Sequence, residues 1–192
     1  MSSIGARAAK DWYDRLAGDY EKRWSRYVDR AADEVVRARP WSSGERVLDV
    51  ACGTGVLLER LVDVVDGLQA VGVDVSPAML ERSRAKRLGR DVHWVRADAR
   101  RLPLVDAAFD VVVCSSALHY FREPEECLRE MQRVLAPGGT LILVDWLREG
   151  WPMQWLDRRL RRRHPAYMRM YNGDECLRLL EQAGFQIGRA HV

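Results

Sequence analysis

Two carboxylates and two glycines lie at positions that suit the binding of a positively charged nucleoside. Asp49 lies in the apolar run 47–50, and Gly53 and Gly55 follow it in a short turn. Glycine lacks a Cβ atom, so a ligand can approach the backbone of such a turn closely. Asp74 comes 19 residues after Gly55, at the end of the next apolar run, where a carboxylate can meet a ribose. A carboxylate beside the turn repels a pyrophosphate and attracts a cation.

The turn departs from the dinucleotide-binding fingerprint, G-x-G-x-x-G. Leu58 stands where the third glycine belongs, and its bulk opposes the close packing of helix on strand that this glycine allows. A nicotinamide-dependent oxidoreductase is therefore the least favoured function. The residues favour a nucleoside with positive charge and no phosphate, and S-adenosylmethionine is such a ligand.

The segment resembles the first motif of the class I S-adenosylmethionine-dependent methyltransferases, an acid followed by G-x-G-x-G. Ala51 stands at the first glycine of that pattern, where alanine can serve if its φ is negative. Further landmarks of the family follow in order at residues 72–76, 96–99, 109–113 and 135–139, so the resemblance covers roughly residues 10–190. It implies methyl transfer to a small-molecule or lipid-like acceptor by in-line displacement, with S-adenosylhomocysteine as the product.

The resemblance also implies which residues bind the cofactor. They are Tyr20, Asp49, Ala51, Gly53, Gly55, Asp74, Val75, Met79, Asp98, Ala99 and Ser115. Asp74 resembles the ribose-binding acid and Asp98 the acid that meets the adenine amino group; the alternatives are a helix-capping acid and a turn residue. Met79 could equally be a core residue. Tyr20 lies in a segment that resembles the family's N-terminal lid, or in an ordinary amphipathic helix.

His119 follows the predicted fourth strand and is the best candidate for a general base, because its unperturbed pKa lies near neutrality. Ligands of parallel sheets bind beyond the carboxyl ends of the strands, so this loop should face cofactor and acceptor. The alternative, which we favour, is a histidine that only packs or caps, since many methyl transfers need no protein base.

A cluster of arginines precedes His164, with tryptophans nearby in sequence. Its members are Arg158, Arg159, Arg161, Arg162 and Arg163, and the tryptophans are Trp146, Trp151 and Trp155. One hypothesis is the recognition of an anionic acceptor or a lipid headgroup. The alternative, which we favour, is a solvated helix face.

Strands alternating with helical periods predict a Rossmann-like, doubly wound α/β fold, with a mostly parallel sheet and helices on both faces. Strands are predicted at 47–50, 70–75, 92–95, 111–114 and 140–144, and a turn at 135–139. Ser76 before Pro77, and Asn172 before Glu175, predict two helix starts. Residues 185–192 can supply a sixth strand; the antiparallel last strand of such sheets is missing, so the chain is truncated or covers that edge otherwise.

We expect one domain over residues 1–192. It comprises an N-terminal helical lid at 1–40, the cofactor-binding core at 45–147, a substrate-side insertion at 148–171, and a C-terminal helix and strand at 172–192.

The bulk composition adds mainly exclusions. Lys and Arg number 31 against 28 Asp and Glu, a net charge of +3 that does not argue for nucleic acid. No apolar run is long enough to span a membrane, and the first residues lack a signal-peptide core, which predicts a cytoplasmic protein. Four scattered cysteines predict no metal site. The alternative function is a non-catalytic S-adenosylmethionine-binding protein that acts through a partner. The oligomeric state is left open.

Overall fold

A five-stranded parallel sheet forms the centre of the protein. The computed structural model describes residues 4–188, with side chains from residue 6 onward. The strands are β1 (Arg46–Val50), β2 (Gln69–Asp74), β3 (Val92–Arg96), β4 (Phe109–Ser115) and β5 (Leu135–Val144). Their order is β3-β2-β1-β4-β5, with every pair parallel. The strand order reverses between β1 and β4, the point at which open α/β sheets bind ligands.

Helices cover both faces of this sheet, which confirms the predicted doubly wound α/β fold. They are α1 (Ile4–Leu16), α2 (Tyr20–Arg37), α3 (Val56–Val64), α4 (Pro77–Ala85), α5 (Pro124–Val134), α6 (Gly150–Arg163) and α7 (Gly173–Gln182). Within residues 4–188, none of them combines the length and the apolar character needed to cross a membrane.

Alternate residues of the strands build two separate cores. On one face, Val47 and Val111 pack with α2 and α3 through residues such as Leu61. On the other face, Leu48 and Val112 pack with α5 and α7. Because the side chains of a strand point alternately to its two sides, β1 contributes to both cores and is buried on both.

Both predicted helix caps are present. The Ser76 hydroxyl accepts a hydrogen bond from the Met79 N–H at 3.2 Å, with Pro77 as the first helical residue of α4. Asn172 and Glu175 form a reciprocal capping box at the start of α7. Both helices therefore begin where the sequence indicates, since a cap depends only on neighbouring residues.

Two predictions about the sheet need correction. Residues 135–139 were predicted as a turn but form the first half of β5, with Leu135 paired to Phe109. Glycine permits this close approach, because a Cβ on Gly139 would lie 2.9 Å from the Asp110 carbonyl oxygen. A sixth strand was predicted at 185–192; residues 185–188 are irregular, and the remainder lies outside the described residues.

Candidate cofactor and acceptor cavity

A cavity opens at the carboxyl ends of β1, β2 and β4. Ten of the eleven predicted cofactor-binding residues line it, and Gly55 does not. The walls are largely apolar and aromatic, and α1 and α2 contribute to them from the N-terminal part of the chain. The sheet thus brings together residues that are far apart in sequence, from Tyr20 to Ser115.

Two acids, buried Asp49 and half-buried Asp74, occupy the sheet side of this cavity. Asp49 is 3% exposed, and its carboxylate has no hydrogen-bond partner among the described residues. Asp74 accepts hydrogen bonds from the Gly53 N–H at 2.9 Å and from the Ser76 N–H at 2.8 Å. Burial raises the pKa of Asp49 to about 7, with a further contribution from the charge of Asp74. Burial also raises the pKa of Asp74 to about 6, against the opposing effect of its backbone hydrogen bonds. A cation bound here would favour the ionised form of both acids.

The backbone of the first turn is left-handed at three positions. Ala51 has a φ of 62°, Gly53 of 54° and Gly55 of 77°. The expectation of a negative φ at Ala51 was therefore wrong. The turn needs a left-handed residue at the position where the family pattern has glycine, and an alanine there carries a strain of about 1–2 kcal/mol.

Gly53 and Gly55 of this turn have different surroundings. A Cβ built on Gly53 would meet nothing within 4 Å, because it would point into open space. A Cβ built on Gly55 would lie 2.5 Å from Cη2 of Trp94. Gly53 therefore leaves room for a ligand, whereas Gly55 leaves room for an indole that packs behind the turn.

Thr54 offers a further polar group beside the acids. This residue lines the cavity, and its buried Oγ1 atom has no hydrogen-bond partner within the part of the chain that the structure describes. A buried hydroxyl without a partner is costly unless a ligand or water satisfies it. An unpartnered acid, an unpartnered hydroxyl and open space at Gly53 together fit a polar, cationic ligand such as S-adenosylmethionine.

The cavity continues toward the end of β3, on the side predicted to hold adenine. Val75, Met79 and Ala99 supply apolar wall there. The Asp98 carboxylate is held by Arg100, whose Nη2 lies 2.8 Å from Oδ2 and whose Nε lies 3.2 Å from Oδ1. Burial alone would raise the pKa of Asp98, but the hydrogen bonds from Arg100 outweigh it and lower this pKa. An adenine amino group at Asp98 would therefore share the carboxylate with Arg100.

Three tyrosines line one part of the cavity, two from the N-terminal helices and one from the segment after β4. The ring of Tyr13 packs edge-on against Tyr20 at 5.9 Å and against Tyr120 at 5.4 Å, and all three line the cavity. Burial raises the pKa of each, so their hydroxyls stay protonated at neutral pH. Tyr13 was missed as a site residue, whereas Tyr120 belongs to the loop after β4 that was expected to face cofactor and acceptor. Tyr13 lies on α1 and Tyr20 on α2, so no helical spacing links them, and only the packing of the two helices brings Tyr13 to the cavity.

The α1 helix is tied to the start of α4 by a side chain that sequence reasoning also missed. Asp14 Oδ1 accepts a hydrogen bond from the Ser76 hydroxyl at 2.6 Å and lies 3.4 Å from the Ala78 N–H. Ser76 in turn follows the acid Asp74 by two residues. The α1 helix is therefore anchored next to the carboxyl end of β2, where Asp74 lies.

His119 lies behind the cavity wall rather than on it. Its ring is 4% exposed, stacks against Trp146 at 5.8 Å and contacts Tyr120. The Nδ1 atom of the His119 ring lies in hydrogen-bonding contact with Oδ1 of Asp145. The backbone N–H of His119 donates a hydrogen bond to Oδ2 of the same aspartate at 3.2 Å. Of the two interpretations that the sequence left open, this geometry favours packing over general-base catalysis.

The arginine cluster lies on α6, where all five members are exposed and one of them pairs with a buried acid. Arg161 pairs with the buried Asp157 at 2.9 Å. Asp157 also accepts hydrogen bonds from the Tyr167 hydroxyl and the Met170 N–H, both at 2.8 Å. The other four arginines form no ion pair with an acid in the part of the chain that the structure describes. None of the five lines the cavity, so the placement favours a solvated helix face over direct contact with an acceptor.

Comparisons with known proteins agree with this geometry. A family model described as a methyltransferase domain matches residues 48–143, half of the chain. A demethylmenaquinone methyltransferase of Thermus thermophilus is 39% identical over 126 residues, which are 65% of this chain and 54% of that protein. A ubiquinone/menaquinone biosynthesis C-methyltransferase of Ectopseudomonas mendocina is 35% identical over 145 residues, which are 73% of this chain and 54% of that protein. The chain spans about half the length of these relatives.

A solved structure gives the same result for the fold. It is a complex between the Haloferax volcanii Trm112 methyltransferase activator and a methyltransferase, and it matches with a TM-score of 0.81 and 25% identity. The match covers 92% of this chain and 77% of the other. The strand order, the glycine turn with its two acids, and these matches lead to one conclusion. The chain belongs to the methyltransferase-domain family of class I S-adenosylmethionine-dependent methyltransferases.

Proposed function

We propose that this protein transfers a methyl group from S-adenosylmethionine to a small, lipid-like acceptor, and that the acceptor is a quinone-type ring. The observation that carries the proposal is the pair of acids beside Gly53, buried Asp49 and half-buried Asp74, in a cavity whose other walls are largely apolar and aromatic. Relatives named as a demethylmenaquinone methyltransferase and as a ubiquinone/menaquinone biosynthesis C-methyltransferase support the acceptor class.

The residues of the cavity divide the binding of the cofactor among them. In this proposal Asp74 accepts hydrogen bonds from the ribose hydroxyls, and Asp49 faces the ammonium group. Gly53 leaves the space that the ligand needs, and the Thr54 hydroxyl offers a hydrogen bond to its polar end. Met79 and Ala99 provide an apolar surface for adenine, with Asp98 at the edge.

When bound, S-adenosylmethionine supplies an electrophilic methyl group on a sulfonium. The contribution of the protein is to align the acceptor atom with that group and to exclude water. Orientation of this kind can lower a barrier by about 7–11 kcal/mol, so no protein base is required for a large effect. The tyrosine wall suits a flat aromatic acceptor, because rings pack favourably edge-on and their protonated hydroxyls can donate to its oxygen atoms.

Isothermal titration calorimetry and a methyl-transfer assay test the proposal in two steps. S-adenosylhomocysteine should bind and NADH should not, and the Asp49→Asn variant should bind the former more weakly. Reduced demethylmenaquinone should then accept a methyl group, detected as a mass increase. Binding without transfer to any quinol would favour the non-catalytic alternative, and the absence of binding would refute the proposal as a whole.

A further inference from the structure

The outward face of α6 carries two exposed tryptophans. Trp151 is 80% exposed and Trp155 is 58% exposed, which is unusual for the largest apolar side chain. Residues 151, 155, 158 and 162 are spaced by three or four, so Arg158 and Arg162 continue the same stripe along the helix. The opposite face turns the buried Asp157 toward the protein.

This face is positively charged without local compensation. Arg158, Arg159, Arg162 and Arg163 form no ion pair with any acid among the described residues, whereas Arg161 is neutralised by Asp157. Asp157 is also the single acid in the sequence of α6. The guanidinium of Arg159 lies 5.5 Å from the ring centroid of Trp155, so the charged and aromatic groups form one continuous surface.

We propose that α6 docks this protein on the surface of a bilayer that contains anionic lipid. Tryptophan prefers the boundary between headgroups and acyl chains, because one part of the indole is apolar and its N–H needs a polar partner. Arginines on the same face meet the lipid phosphates, which the unpaired charges of α6 complement. The helix lies in the plane of the interface and does not cross the bilayer.

Side-chain contacts connect the inner face of α6 to the cavity wall. On its inner face, Asp157 accepts a hydrogen bond from the Tyr167 hydroxyl at 2.8 Å. The ring of Tyr167 packs edge-on against that of Tyr120 at 6.3 Å, and Tyr120 lines the cavity. A membrane bound at the outer face of α6 would therefore be separated from Tyr120 by α6 itself and by the side chains of Asp157 and Tyr167, which brings the cavity near a source of lipid-like acceptors.

Co-sedimentation with vesicles tests this inference in the absence of cofactor and acceptor, so its outcome is independent of methyl transfer. The chain should bind vesicles of equal parts phosphatidylglycerol and phosphatidylcholine, and bind pure phosphatidylcholine far less. Each arginine near an anionic surface is worth about a fivefold change in binding, so Arg158→Glu with Arg162→Glu should weaken it by about 25-fold or more. Trp151→Ala with Trp155→Ala should weaken it by about tenfold or more.

Matched variants separate docking from general charge and from unfolding. Arg129→Glu with Arg178→Glu changes the net charge equally at exposed positions on α5 and α7, and should leave vesicle binding unchanged. Trp24→Ala removes an exposed tryptophan from α2 and should also have no effect. The proposal is overturned if the α6 variants bind vesicles as well as their controls do. It is also overturned if vesicles with and without phosphatidylglycerol are bound equally. It is equally overturned if the wild type binds no vesicles and α6 instead joins two copies, seen as a dimer that the tryptophan variants convert to monomers.

Discussion

Replacing Asp49 with asparagine should stabilise the ligand-free protein at high pH and weaken its binding of cofactor. The change removes the negative charge of a buried carboxylate, which destabilises the folded wild type whenever Asp49 is ionised. Burial raises the pKa of Asp49 from 3.8 to about 7. The folded protein therefore keeps a proton that the unfolded chain has already released between these two pH values. Stability linked to Asp49 is fully present below pH 3.8 and is lost as the pH rises to about 7.

The magnitude follows from the pKa difference. Each pH unit within this window is worth about 1.4 kcal/mol. Between pH 5 and pH 7 the wild type should lose about 2–3 kcal/mol that the asparagine variant keeps, because the amide resembles the protonated acid and does not ionise. Above pH 7 the gap should stay constant, since Asp49 is then ionised in both folded and unfolded chains.

Urea unfolding of both proteins at pH 5 and pH 8 measures this gap directly. Asp110→Asn serves as the control, because hydrogen bonds from Arg46 lower the pKa of Asp110 and its stabilising effect is lost as the pH falls. Calorimetry at pH 7 should also detect a proton released from the wild type when S-adenosylhomocysteine binds, and a smaller release from Asp49→Asn. A gap that is equal at pH 5 and pH 8, or an asparagine variant that is less stable at pH 8, would refute the reasoning.

Three further changes test other parts of the site. Gly53→Ala should cost about 1 kcal/mol of stability because its φ is left-handed, and it should abolish cofactor binding measured by calorimetry. Gly55→Ala should cost at least about 2–3 kcal/mol, because its Cβ would meet an indole at 2.5 Å. Equal unfolding midpoints of the two variants would contradict this contrast. Ala51→Gly should raise the melting temperature through a net gain of about 0.5 kcal/mol, because the relief of about 1–2 kcal/mol of strain is partly offset by the larger backbone entropy that glycine loses on folding. Ala107→Gly, at a φ of 53° away from the cavity, should do the same without changing ligand affinity. Asp157→Ala should lower the free energy of unfolding by about 3 kcal/mol, because it leaves the partners of a buried carboxylate unpaired, and a loss below about 1 kcal/mol in urea unfolding would count against that account.

Local patterns in the sequence were enough for the architecture and for most of the cavity wall. Alternating strands and helices predicted the parallel sheet, and the caps at Ser76 and Asn172 placed two helix starts correctly. The spacing of Asp49, Gly53 and Asp74 predicted a common site, because the carboxyl ends of neighbouring parallel strands share one edge. Such features depend on residues close in sequence or on the regular geometry of the sheet, and both can be read without coordinates.

Packing between distant segments decided the remainder. The sequence could not show that Trp94 fills the space beside Gly55, or that Asp145 and Trp146 draw His119 behind the wall. The pairs of Arg100 with Asp98 and of Arg161 with Asp157 are local by contrast, and the second has the spacing of neighbours on one helix face. The long-range partners of a side chain depend on which elements become neighbours and on how each element is rotated about its axis. Residue types at single positions do not specify that rotation.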